Sequence, residues 1–127
     1  FDDATILATT GWTTSNLGQA LSSSGYENES WDLVSLLIGV NNQYQGAEIE
    51  QYEVEYEDLL QRAISATEER VGRVFVVSIP DYGYTPFGVN NQAQISTELE
   101  GFNAACKAIT ESYGVAYFNI TPISQHM

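Results

Sequence analysis

One cysteine, one histidine and four basic residues are all that this 127-residue chain holds of those types. With Cys106 alone, no disulfide closes within the chain and no redox pair forms. With His126 as the single imidazole, a zinc cluster of the usual Cys and His ligands cannot be assembled. Neither a metal nor another cofactor is expected. Four bases against seventeen acids leave a formal net charge of -13, which repels a phosphate backbone and leaves no basic patch to reverse the field. Nucleic acid is therefore not an expected partner. No run approaches the roughly 18 consecutive apolar residues of a membrane span. No basic-then-apolar leader stands at Phe1, so neither a membrane span nor a signal peptide is read, and the compartment stays open.

What the chain does hold is apolar surface. A hydrophobic fraction of 43% with 12% aromatics is enough to offset backbone entropy, and the length suits one domain over residues 1–127. Short apolar runs alternate with longer helical patterns. Ala4–Thr9 reads as a strand, and a weak helix follows TTGWTT to about Ser24, with Gly25 ending it. Asp32–Ile38 is a continuous apolar run that reads as a strand covered on both faces. From Ala47, Ile49, Tyr52, Tyr56, Leu59, Leu60 and Ala63 recur at helical spacing, while Glu48, Glu50, Glu53, Glu55, Glu57 and Asp58 take the watery side. Arg73–Ile79 reads as a second buried strand, stopped by Pro80. Ile95, Leu99, Phe102, Cys106, Ile109 and Tyr113 mark the cleanest helical stripe, closed by Gly114, and Val115–Ile120 is the last strand. The fold class implied is α/β, a three-layer α/β/α sandwich around a mostly parallel sheet.

In such sheets ligands bind outside the carboxyl ends of the strands. Three of those ends carry the segments TTGWTT, GVNNQYQG and IPDYGYTPFG. Gly11 and Asn41 are residue types that supply backbone and amide donors to an oxyanion, and equally the types that build ordinary turns. Asp81, Tyr82, Tyr84 and Phe87 suit either a pocket wall or loop packing. Ser15 and Ser78 read as solvated or strand-packed, because a serine nucleophile needs a base in reach and the single His lies near the terminus. The acidic run Glu48–Asp58 lacks the spacing of a calcium loop, and Cys106 falls on a buried stripe as a small core residue.

These segments resemble the SGNH or GDSL hydrolases over most of the chain. TTGWTT is similar to the family's glycine block, LLIGVNNQYQG to its G-x-N block, and VFVVSIPDYGYTPFG, Phe102-Asn103 and VAYFNITPIS to its later strands. The resemblance implies a flavodoxin-like sheet and carboxylic ester hydrolysis by Ser and His, with the oxyanion held by the Gly11 N–H and the Asn41 amide. It also implies a substrate region at Trp12, Asn42, Tyr44, Asp81, Tyr84 and Phe87, facing a small ester or an acetylated sugar.

The chain departs from that pattern in three places. It contains neither the family's G-D-S block nor its D-x-x-H block, since His126 follows Ile123 by three positions where the family has Asp. Asn42 stands where many relatives carry Asp. The expectation is a chain truncated at both ends relative to the family and inactive alone. It would lack the central first strand, whose place is between the strands at Thr5 and Val34. Two unpaired edges would then pair directly, self-associate or exchange strands, or take a partner segment. Two further readings are a non-catalytic self-associating α/β fragment and a carbohydrate-binding module stacking sugars on Trp12, Tyr44, Tyr82 and Tyr84.

Overall fold

The runs at Val34, Val74 and Ala116 become three strands of one parallel sheet in the computed structural model, which describes residues 5–9, 11–79 and 92–120. Strand β1 (Val34–Leu36) pairs with β2 (Val74–Val77) in the register Val34 to Val74, and β2 pairs with β3 (Ala116–Phe118) in the register Phe75 to Ala116. Parallel neighbours require long crossovers. Helices α2 (Val40–Tyr44) and α3 (Ile49–Ala66) make the first, and α4 (Gln92–Ser112) makes the second. The chain is an α/β protein, as the alternation of patterns implies.

Helix α1 (Thr14–Ser24) begins at a capping box, in which the Thr13 N–H donates to Asn16 Oδ1 at 3.0 Å and the Asn16 N–H donates to Thr13 Oγ1 at 3.4 Å. It ends at Gly25 with φ 75°. Helix α3 buries Tyr52, Tyr56, Leu59, Leu60, Ala63 and Ile64, and α4 buries Ile95, Leu99, Phe102 and Cys106, close to the stripes legible in the sequence. These side chains meet Leu36, Val74 and Val76 in one core. Three of the four basic side chains tie segments together: Arg62 Nη2 donates to Ser22 Oγ at 2.7 Å, Arg70 Nη2 to the Trp31 carbonyl at 3.2 Å, and Arg73 Nη1 to the Asp32 carbonyl at 3.4 Å. No described helix is long and apolar enough to cross a membrane.

The core is polar in a controlled way. The Tyr52 ring stacks on Tyr56 at 5.7 Å and meets the Phe102 ring edge-on at 4.8 Å. The Tyr52 hydroxyl donates to the Ile38 carbonyl at 2.9 Å. Thr110 Oγ1 gives its proton to the Cys106 carbonyl at 2.7 Å, so the Tyr56 hydroxyl must be the donor in its 2.6 Å contact with Thr110. Each buried hydroxyl thus keeps a partner, which removes most of the cost of its burial.

Two strand expectations fail. Of Ala4–Thr9, read as a strand, the described residues 5–9 pair with no described strand. A cavity of about 1020 Å³, walled by Thr5, Leu7, Leu36 and Leu37 among others, separates this segment from β1, whereas strand pairing needs backbones about 4.8 Å apart. Direct pairing of these two segments therefore does not occur. The run around β1 is also not covered on both faces, because Leu33 and Leu37 are 55% and 45% exposed and Ser35 is exposed. Helices α3 and α4 pack over the face that carries Leu36, Val74 and Val76, and the alternate residues of β1 point the other way.

Burial raises the phenol pKa of Tyr52 and Tyr56 well above the ordinary value and pushes Tyr117 up to about 12, with Cys106 adding to each rise. A raised folded-state pKa contributes stability that is complete below the unfolded value of about 10 and is lost as pH rises from there through the folded values. In an absorbance titration at 295 nm, Tyr52 and Tyr56 should ionise only together with loss of the far-ultraviolet dichroism. Ionisation of Tyr52 and Tyr56 near pH 10 with the dichroism intact would contradict this.

Candidate functional site

The chain leaving β1 reaches Gly39 at φ 140°, where a Cβ would stand 2.6 Å from Ile79 Cδ1 and 3.0 Å from Tyr52 Oη. A side chain here meets both backbone strain and a filled space. From Gly39 the chain winds into α2, with the Gln43 N–H donating to the Gly39 carbonyl at 3.1 Å. The turn-forming segment GVNNQYQG is therefore a short helix, extended by bonds from the Gln45 N–H to the Asn41 carbonyl and from the Ala47 N–H to the Asn42 carbonyl.

This helix meets the segment before α1. Asn41 Nδ2 donates to the Trp12 carbonyl at 3.0 Å. Gly11, exposed and at φ 91°, lies one residue before Trp12, whose N–H donates to the Thr9 carbonyl at 3.3 Å. Two of the three suspected loops are thus joined by the residue expected to supply the amide. Trp12 and Asn41 also line a small cavity of about 140 Å³, with Leu7, Leu17, Ile38 and Val40 as apolar walls.

The remaining candidates divide. Asn42, expected in the substrate region, is 3% exposed with both ends of its amide engaged by Thr14: Oδ1 accepts the Thr14 N–H at 3.0 Å, and Nδ2 donates to Thr14 Oγ1 at 2.8 Å. The Thr14 hydroxyl in turn donates to Glu55 Oε1 at 2.7 Å. Gln43 is buried and donates from Nε2 to Glu98 Oε1 at 2.6 Å, while Tyr44 is 59% exposed. Asp81, Tyr82, Tyr84 and Phe87 lie outside the described residues, as does His126. Their segment is entered at Ile79, whose N–H donates to Asn103 Oδ1 at 2.8 Å and whose carbonyl accepts from Asn103 Nδ2 at 3.1 Å. The third loop therefore leaves the sheet from a point held by an amide on both sides.

Sequence reasoning passed over Thr14 and put Glu55 among the solvated acids. Helical spacing held a signal for Glu55, which is three residues after Tyr52 and four before Leu59 and so borders the buried stripe. Ser78 is fully buried, donating to Asn119 Oδ1 at 3.2 Å and accepting the Ile120 N–H at 2.8 Å, as a strand-packed serine should. Ser15 is exposed and accepts from Gln19 Nε2 at 3.3 Å. Among the described residues there is no histidine, and no group of three or more His, Cys, Asp or Glu side chains gathers as a metal site would. Burial pushes the Cys106 thiol pKa up, which suppresses the thiolate a nucleophile needs.

Comparison with protein families finds that the model of the GDSL-like Lipase/Acylhydrolase family matches residues 1–126. Comparison with curated proteins finds no match.

Replacing Gly39 by Ala should destabilise the protein by about 2–4 kcal/mol, the combined cost of backbone strain and overpacking. Urea denaturation followed by dichroism measures it. A loss under about 0.5 kcal/mol, the range of neutral surface changes, would mean that Gly39 is not constrained as described.

Proposed function

The chain belongs to the GDSL-like Lipase/Acylhydrolase family, and from that membership we propose that it carries the oxyanion-binding half of a carboxylic ester hydrolase. The observation that carries the reading is the Asn41 amide held against the Trp12 carbonyl, which puts the Gly11 segment and α2 at one place. In acyl transfer the substrate carbonyl oxygen becomes negative only as the tetrahedral intermediate forms. Neutral donors already in position stabilise that charge without reorganising, and removal of one such donor costs about 10²–10³ in kcat. The Gly11 N–H and the second N–H of Asn41 are the donors assigned here. Trp12 and Tyr44, with Asp81, Tyr84 and Phe87, are the residues assigned to substrate contact, and a small ester or acetylated sugar is the substrate class. Asn42 takes a different role from the one expected of it, inside the protein.

The 127 residues contain neither a G-D-S nor a D-x-x-H block, and none of their serines is assigned as an activated nucleophile. The purified 14.0 kDa chain should therefore gain no mass from a fluorophosphonate probe, which labels activated serines covalently. A stoichiometric adduct would place an activated serine inside the chain and replace this assignment. In a form that also carries the nucleophile and turns over a short-chain nitrophenyl ester, Asn41→Ala should lower kcat by about 10²–10³ with KM little changed. An unchanged kcat would remove Asn41 from the oxyanion site.

A second reading, self-association, is favoured by the cavity along β1, a strand paired with β2 and with no other described strand. Sedimentation velocity distinguishes it, since a 14.0 kDa monomer persisting at high protein concentration would refute it.

A further inference from the structure

The bonds around Asn42 allow one direction of hydrogen donation. The Thr14 N–H is among the first donors of α1, which have no partner inside the helix, and Thr14 is 1% exposed. That N–H can only donate, so Asn42 must present Oδ1 to it, and Nδ2 is left facing Thr14 Oγ1. Nδ2 can also only donate. The Thr14 hydroxyl therefore accepts from Asn42 and directs its own proton to Glu55 Oε1. The result is a one-way chain from amide to hydroxyl to carboxylate that joins α2, α1 and α3. One residue earlier the same logic holds Asn41, since the Trp12 carbonyl can only accept and so forces Nδ2 towards it.

We propose that Asn42, Thr14 and Glu55 are positioning residues for the Asn41 amide. They clamp the start of α1 to α2, which keeps the Trp12 carbonyl where it selects the orientation of the neighbouring amide. This inference rests on the reading of Asn41 as an oxyanion donor, and it explains why position 42 carries an amide. An aspartate there accepts both Thr14 groups but donates nothing, so one hydroxyl proton would face two carboxylates, Asp at 42 and Glu55. The direction of the chain can be reversed as a whole. With glutamine at 55 as well, the new amide donates to Thr14 Oγ1, the hydroxyl donates to the carboxylate at 42, and that carboxylate still accepts the Thr14 N–H. Each contact around Thr14 again joins a donor to an acceptor, and the net charge equals that of the unsubstituted chain.

The test uses the 127-residue chain labelled with nitrogen-15, with the Asn41 side-chain signals identified by their loss in Asn41→Ala. Asn42→Asp should speed solvent exchange of the Asn41 side-chain protons by about tenfold, the scale of one lost internal hydrogen bond. The double variant Asn42→Asp with Glu55→Gln should return the exchange rate and the shifts close to the starting values. Rescue by a second loss-of-contact change is an outcome that a purely space-filling role for Asn42 does not produce. If Asn42→Asp does not fold, the double variant alone decides: folded with restored Asn41 signals supports the inference, and unfolded overturns it. Unchanged Asn41 exchange in a folded Asn42→Asp chain, or a double variant no better than Asn42→Asp, also overturns it. These readouts need no turnover. A failure of the positioning inference is thus distinct from a failure of the oxyanion reading, which shows in the kcat of Asn41→Ala.

Discussion

At Gly39 the chain leaves the sheet through a space already filled by the Ile79 side chain and the Tyr52 hydroxyl. That contact sets the direction in which the backbone can continue. The Tyr52 hydroxyl also binds the Ile38 carbonyl at 2.9 Å, so the last residue before the turn is anchored by the same side chain that crowds the turn itself. Everything beyond depends on this corner. Asn41 faces Trp12, Asn42 faces Thr14 and Gln43 faces Glu98 because α2 starts where it does.

Helix α3 serves the core and the site at once. Tyr52, Tyr56 and Leu60 on its buried stripe hold the sheet, and Glu55 at the border of that stripe receives the proton of Thr14. A shift of α3 along its axis would therefore disturb core packing and the entrance to α1 together. The same economy shows in Asn103 on α4. Its amide holds both backbone groups of Ile79, which touches Gly39 from the other side. Packed interiors transmit such displacements because they hold few voids to absorb them. The chain belongs to the GDSL-like Lipase/Acylhydrolase family, and within its fold α2 leaves the sheet at a corner of fixed geometry.

The helices were the most legible elements. Tyr52, Tyr56, Leu59 and Leu60 on α3, and Ile95, Leu99, Phe102 and Cys106 on α4, recur at helical spacing whatever the rest of the chain does, and they are buried as the pattern implies. Strands were legible as runs and not as partners. Val34–Leu36 and Val74–Val77 pair, whereas Thr5–Thr9, equally rich in β-branched and apolar residues, pairs with no described strand. Pairing requires a neighbour at the correct distance, and a local run carries no record of one. The same limit explains Leu33 and Leu37, apolar residues within a continuous run that remain partly exposed because the helices cover the alternate face.

For the site, the order of residues alone sets the kinds of group available: amides at 41 and 42, a glycine at 11, no basic cluster, and one histidine far from them in the chain. Turn chemistry and apolar periodicity are local properties, so the sequence also shows Gly39 and Asn41 standing just beyond the apolar run of β1. Which partner each amide meets follows from packing alone. Asn41 and Asn42 are adjacent and identical, yet one faces a carbonyl and the other a backbone N–H. Their partners lie 29 and 28 residues away in the chain, and the separation is bridged by the packing of α1 and α3, which no local pattern encodes.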